Sequence, residues 1–236
     1  MEARNREIFL AHAMKALPME ACGLLVVLHG KEHLVLCHNL SDRRGEFTID
    51  PKDYRSAAEL GDIIGVVHSH CFTPPTPSDA DLAACEATNV PWVICSVPNA
   101  TWFEFNPSGY RAPLVGRSWA HGVHDCYNLA CDYYREKFGA ELPHFHREYE
   151  WFKKGFDLYC RENWERAGFT EIDLSDLQEH DAILMQMHSP VINHVGIYLG
   201  NNLMLHQMTH RLSTRDIYSG YFQRHTVRAL RFGGVK

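Results

Sequence analysis

VHSHCFTPPTPSDAD, residues 67–81, is the stretch from which the fold can be read. It follows an apolar run, Asp62–Val67 (DIIGVV), that reads as a buried strand. Alternate strand residues share a face, so His68 and His70 at the strand's end offer two imidazoles to one point. A proline-rich turn runs from Phe72 to Pro77, and Ser78-Asp79-Ala80-Asp81 then opens a helical pattern that continues to Glu86. Asp81 lies one turn in, where the chain can swing its carboxylate back toward the histidines. Two His and one Asp with a position left open make the donor set of a catalytic zinc site. The bland alternative is that Ser78 only caps a helix, Ser-x-x-Asp being close to a capping box. The histidines would then be surface residues of a chain that holds 16 of them in 236. A chance match to the whole spacing is on the order of one in a few hundred, before its strand–loop–helix context is required. Metal is therefore the expectation, and capping by Ser78 is compatible with it.

The spacing His68-x-His70, seven residues, Ser78, two residues, Asp81 resembles the JAMM (MPN+) metallopeptidases. That family carries a glutamate at the edge of its first strand, a position that Glu20 fits within Pro18-Met19-Glu20-Ala21-Cys22-Gly23-Leu24-Leu25. The resemblance implies zinc held by His68, His70 and Asp81, with Glu20 as general base and Ser78 helping to stabilise the tetrahedral intermediate. The chemistry is coherent: zinc lowers the pKa of bound water to about 7, and a nearby carboxylate can then move its proton. Taken alone, Glu20 reads as a solvated residue before a strand.

At 236 residues the chain has room for one or two domains. Its formal charge is −6, with no long basic run and no basic-aromatic stripe, so nucleic acid is not an expected partner. Apolar runs such as Gly23–Leu28 are too short for membrane insertion. No signal-peptide core follows Met1, so the expected compartment is the cytoplasm. The eight cysteines then read as reduced thiols, most of them small core residues, and no Cys-x-x-Cys occurs.

The periodicities predict a helix over 4–17, strands Cys22–Leu28 and His33–His38 joined by a turn at 29–32, and a helix from Pro51 through Leu60 capped by Asp50. After the metal strand and the Ser78 helix, strands are predicted over Pro91–Val97 and Thr101–Phe105. Residues 107–120, rich in Pro and Gly, read as a linker. The expected class is α+β in two domains, 1–116 and 117–236, the first a mixed sheet with flanking helices.

In the second half Asp125 can cap a helix in which Cys126, Leu129, Ala130, Tyr133 and Phe138 fall at helical spacing. Cys126 then sits in the first turn, where backbone N–H groups and the helix dipole favour the thiolate, so its pKa is expected below the free value. An isolated cysteine there reads more simply as a core residue. Strands predicted over His180–Met187, Asn193–Gly200 and Leu203–Gln207, the last two joined by a turn at Asn201-Asn202, supply partners. His194 and His206 fall on adjacent strands, giving a Cys–His–polar set in which His194 takes the thiol proton and His206 orients its ring.

Asp125-Cys126, the run His194-Val195-Gly196-Ile197-Tyr198-Leu199-Gly200 and Leu205-His206 resemble the NlpC/P60 cysteine peptidases. The resemblance implies a papain-like α+β domain with Cys126 as nucleophile, His194 as base and His206 as third polar residue. Tyr127 and Asn128 stand where most members have Ser and Gly, and His180 where many have Gly before the Asp, which bears on substrate detail. The two domains in one short chain resemble the tail assembly proteins of lambda-like phages. That implies peptidoglycan stem peptides as substrate, other tail-tip proteins as partners, and the host cytoplasm and the virion tail tip as places of action. Two alternatives stand beside it: a mainly structural tail-assembly component with vestigial sites, and a cellular deubiquitinase-like enzyme, which the second domain disfavours. Beyond Leu212 no chemistry is legible from the residues alone.

Overall fold

The chain forms two units, Met1–Arg111 and Ala112–Lys236, in a computed structural model that describes residues 1–145 and 147–234. The first unit begins with α1 (Ala3–Ala16), β1 (Cys22–Leu28) and β2 (Lys31–Cys37). The β1–β2 turn is tighter than the four residues expected. Leu28 pairs with Lys31, and His29 and Gly30 both take left-handed φ, 51° and 74°, as a two-residue hairpin requires. α2 (Pro51–Leu60) starts with proline at its first position, and the Asp50 side chain accepts from Lys52 N–H. β3 (Asp62–His70), α3 (Asp79–Thr88), β4 (Trp92–Ser96) and β5 (Thr101–Phe105) complete the unit.

The sheet order is β2-β1-β3-β4-β5, with only β3 and β4 parallel. Both faces are covered, so the strands read as near-continuous apolar runs. Cys22, Leu24, Val26, Val66 and Trp92 pack with Ala57 of α2 and Cys85 of α3. Leu25, Val67, Val93 and Cys95 pack with Phe9 and Ala13 of α1. Strand parity therefore puts His68 and His70, in step with Val66, on the α2/α3 face.

The second unit contains α4 (Cys126–Phe138), α5 (Arg161–Arg166), β6 (Phe169–Ile172), β7 (Ala182–Met185), β8 (His194–Tyr198), β9 (Leu203–His206), β10 (Thr214–Ile217), α6 (Tyr221–His225) and β11 (Thr226–Phe232). Its six-stranded sheet is antiparallel throughout, in the order β10-β9-β8-β7-β11-β6. Leu129, Ala130, Tyr133 and Tyr134 of α4 pack on Ala182, Leu184, Val195, Ile197 and Leu205. The opposite parity, Ile183, Met185 and Met204, packs with Tyr218. The mixed helix and sheet of both units agree with the expected α+β class. The expectation for 180–187 shortens to Ala182–Met185, because His180 takes a φ of 78°. Three strands, β6, β10 and β11, were not anticipated. They are short or half-exposed, and their polar alternation is weak.

Candidate metal centre and thiol site

β3 delivers both histidines of the first unit. His68 is fully buried, with its ring stacked on Phe47 (centroids 4.7 Å apart) and edge-on to Trp92. His70 is held through Nδ1, 2.8 Å from the Pro74 carbonyl oxygen. α3 delivers Asp81 through a full capping box. Ser78 donates its N–H and its hydroxyl to Asp81 Oδ2, at 2.8 and 2.7 Å, and its Oγ accepts from Asp81 N–H. The helix cap and the carboxylate position are thus one device, and both readings of Ser-x-x-Asp hold together.

His68 Nε2 lies 3.3 Å from His70 Nε2 and 3.2 Å from Asp81 Oδ1, and His70 Nε2 lies 3.6 Å from Asp81 Oδ2. A tetrahedral zinc with bonds of about 2.0–2.1 Å spaces its donors ~3.3–3.4 Å apart. Among the described residues, only His68, His70 and Asp81 form a cluster able to hold a metal ion, and their spacing and donor types fit zinc.

Glu20 reaches this point by register. Cys22 pairs with His68 across the antiparallel β1–β3 ladder, so Glu20, two residues earlier, falls beside His70. Asn39 Nδ2 donates to the Glu20 carbonyl at 3.0 Å, and Ser69 Oγ accepts from Ala21 N–H at 2.8 Å, pinning the backbone on both sides. Burial raises the Glu20 carboxyl above its ordinary value, against the pull of His68 and His70. Burial also opposes ionisation of Asp81, but His68, His70 and the Ser78 N–H outweigh it and hold that carboxyl well below the usual range. Phe47, Asn39 and Ser69 were not among the expected site residues. Each acts through a contact that only the folded sheet creates.

In the second unit Asp125 caps α4, accepting from Asn128 N–H at 3.0 Å, and Cys126 follows as the first helical residue. The Arg147 guanidinium forks onto Asp125, Nε at 3.0 Å and Nη2 at 2.8 and 2.6 Å, and also contacts the Asn128 side-chain carbonyl. Burial would raise the Asp125 carboxyl, but Arg147 outweighs it and holds the group below its usual value. Cys126 Sγ lies 3.7 Å from the Tyr159 hydroxyl, and Cys126 and His194 line one cleft with Tyr159, Arg147, Trp119 and Trp151. His194 Nε2 is 3.0 Å from His206 Nδ1, and His206 Nε2 is 3.1 Å from Asp216 Oδ2. All three expected residues are therefore brought together, and Arg147, Tyr159 and Asp216 are added to them.

The thiol differs from expectation. Burial, and next the Asp125 charge, push Cys126 up to about 11, against the Val195 N–H, Tyr159 and Arg147. Burial, and next His206, drive His194 down to about 3. The helix N-terminus favours a thiolate, but the desolvation of a closed site outweighs it. Both shifts favour the uncharged forms at neutral pH, a thiol at Cys126 and an imidazole at His194.

A family model described as the NlpC/P60 family matches residues 115–231, and one described as prokaryotic homologs of the JAB domain matches residues 2–107. Tail tip assembly protein K of Escherichia phage N15 is 34% identical over 238 residues, which span 100% of this chain and 97% of that protein. Tail tip assembly protein K of Escherichia phage lambda is 36% identical over 178 residues, 75% of this chain and 86% of that protein. Desampylase of Pyrococcus furiosus is 34% identical over 85 residues, 32% of this chain and 59% of that protein.

Proposed function

This chain belongs to the tail tip assembly protein K family and carries a JAB-type and an NlpC/P60 domain, and on that premise we propose that it is a phage tail-tip peptide hydrolase with two independent sites. Cys126 is the nucleophile of the second site, His194 its base and His206 the residue that orients His194. The observation that carries this is Cys126 and His194 on a single cleft at the start of α4, with His206 hydrogen-bonded to His194. His194 takes the thiol proton as sulfur attacks the carbonyl carbon. It then returns that proton to the leaving amine, which departs from a thioester. A water deprotonated by His194 attacks the thioester, releasing the carboxylate and the free thiol. The substrate is the peptide stem of peptidoglycan, by analogy its γ-D-glutamyl–diaminopimelate bond, and the partners are other tail-tip proteins. The work is done in the host cytoplasm during assembly and at the virion tail tip. No helix of the described residues is long and apolar enough to cross a membrane.

In the first domain His68, His70 and Asp81 would hold zinc, which would polarise a carbonyl and acidify water. Glu20 takes a proton from the attacking water and hands it to the leaving nitrogen, while the Ser78 hydroxyl turns toward the developing oxyanion. The bond cut is an amide or isopeptide. Each domain keeps its site within itself, the metal in the unit Met1–Arg111 and the thiol in the unit Ala112–Lys236, a boundary a few residues before the expected 116.

A second reading, a structural tail component with a silent thiol site, is favoured by one feature: burial raises the Cys126 thiol to about 11. Digestion of purified muropeptides by the full chain separates the two. The hydrolase reading expects stem cleavage that survives chelation and disappears in Cys126→Ala. No cleavage by folded wild-type protein leaves the structural reading.

A further inference from the structure

β10 was the least legible strand of the second unit, yet it places a carboxylate behind the paired histidines. Thr214 is the register partner of His206 on β9, and Asp216, two residues on, shares its face. Asp216 Oδ2 thereby reaches His206 Nε2 at 3.1 Å. His206 is fully buried, with Phe222 of α6 edge-on at 4.9 Å, while the Asp216 side chain keeps 43% of its surface in solvent.

We propose that Asp216 is a positioning residue that sets the proton arrangement of the whole Cys126–His194–His206 site. This rests on the hydrolase reading of that site. A carboxylate only accepts, and a neutral imidazole has one donor and one acceptor nitrogen. The His206 Nε2 facing Asp216 therefore carries the hydrogen, and its Nδ1 is bare. A bare Nδ1 at 3.0 Å accepts from His194 Nε2, so His194 holds its own hydrogen on Nε2. His194 Nδ1 is then the basic nitrogen left to take the thiol proton. One half-exposed carboxylate thus fixes two tautomers in series. When His194 becomes the imidazolium, the same chain points its dipoles and its terminal charge the favourable way. The charged and titratable groups acting on His206 are His194 from β8, Asp216 from β10 and Arg211 from the preceding loop. Asp216 is the acceptor among them.

The test uses the full chain with 15N-labelled histidine. Two-bond nitrogen–proton correlations report which nitrogen of each ring is protonated. Wild type is expected to show the Nε2–H form at both His206 and His194. Asp216→Ala, and Asp216→Thr as a second variant suited to an edge strand, should move His206 toward the Nδ1–H form and disturb His194 with it. Asp216→Glu should restore the wild-type pattern. Muropeptide cleavage should fall ~100-fold in kcat with KM changed less than ~3-fold in the first two variants, the size expected for losing an orienting partner. Arg215→Ala, an exposed side chain on the other face of the same strand, should change neither. Unaltered tautomers at both rings in folded Asp216→Ala or Asp216→Thr overturn the proposal. If wild type shows the expected tautomers but cuts no peptide, the hydrolase reading fails and the assignment of Asp216 stands.

Discussion

Acid should destabilise the second domain through one buried ring. Burial and His206 hold His194 at about 3, against an ordinary value of 6.5, and the residue is only 5% exposed. The unfolded chain therefore binds a proton at His194 below pH 6.5 that the folded chain refuses. Stability rises with pH up to that point and falls as pH drops below it. Between pH 7 and pH 5 this single linkage costs about 2 kcal/mol, with a slope approaching ~1.4 kcal/mol per pH unit. Because pH 5 lies well above the folded-state value, the size of the effect is set by the unfolded ring. His194→Gln keeps a donor for His206 Nδ1 and has no titratable group. The assay is urea unfolding of the full chain at pH 7, 6 and 5, followed by fluorescence, for wild type and variant. The variant should lose about 2 kcal/mol less than wild type over that interval. Equal losses, within ~0.5 kcal/mol, would mean that His194 ionises in the folded protein, and the neutral-pair description would fail.

Three further outcomes follow from the same geometry. Cys126 should be alkylated slowly near neutral pH, its rate climbing only toward the value of about 11 that burial imposes; fast labelling at pH 7 ahead of the other thiols would contradict the neutral resting thiol. Gly196→Ala should cost about 1–3 kcal/mol in urea unfolding as an overpacking change, because a Cβ there would stand 2.3 Å from the sulfur of the fully buried Met204; a cost below ~0.5 kcal/mol would show that β8 and β9 have room to part. Purified protein should hold about one zinc, lost in His68→Ala and in Asp81→Ala, and Phe47→Ala should weaken zinc binding by ~10-fold or more. His68 Nδ1 has no hydrogen-bond partner among the described residues, and the Phe47 stack takes over the orienting task. Metal analysis and a chelator competition decide both points.

The first site was legible where its parts are close in sequence. His68, His70, Ser78 and Asp81 span one strand, one turn and one helix cap, and each local pattern reports its own element. Glu20 is different in kind. Nothing near it announces a site residue, and its place beside His70 depends on the Cys22–His68 register, a long-range pairing. Resemblance to a family supplied what periodicity could not. Phe47, Asn39 and Ser69 lie further along the same scale, since each acts through one contact made only after the sheet has formed.

In the second domain the sheet itself assembles the chemistry. β8, β9 and β10 are neighbours, and each contributes one residue to the line His194, His206, Asp216. His194 and His206 stood out because their strands are apolar and joined by a tight turn. β10, Thr214–Ile217, is an edge strand with alternate residues exposed, and such a strand carries little hydrophobic signal. The thiol was misjudged for a related reason. A helix N-terminus can be read locally, whereas desolvation depends on everything that closes over the site, and here burial with the Asp125 charge outweighs the Val195 N–H, Tyr159 and Arg147. If the site is catalytic, the resting neutral pair means that thiol-to-imidazole proton transfer is uphill until a substrate enters. The His206–Asp216 line behind His194 is placed to stabilise the imidazolium that such a transfer would form. A thiol so held reacts slowly with disulfides and oxidants near neutral pH.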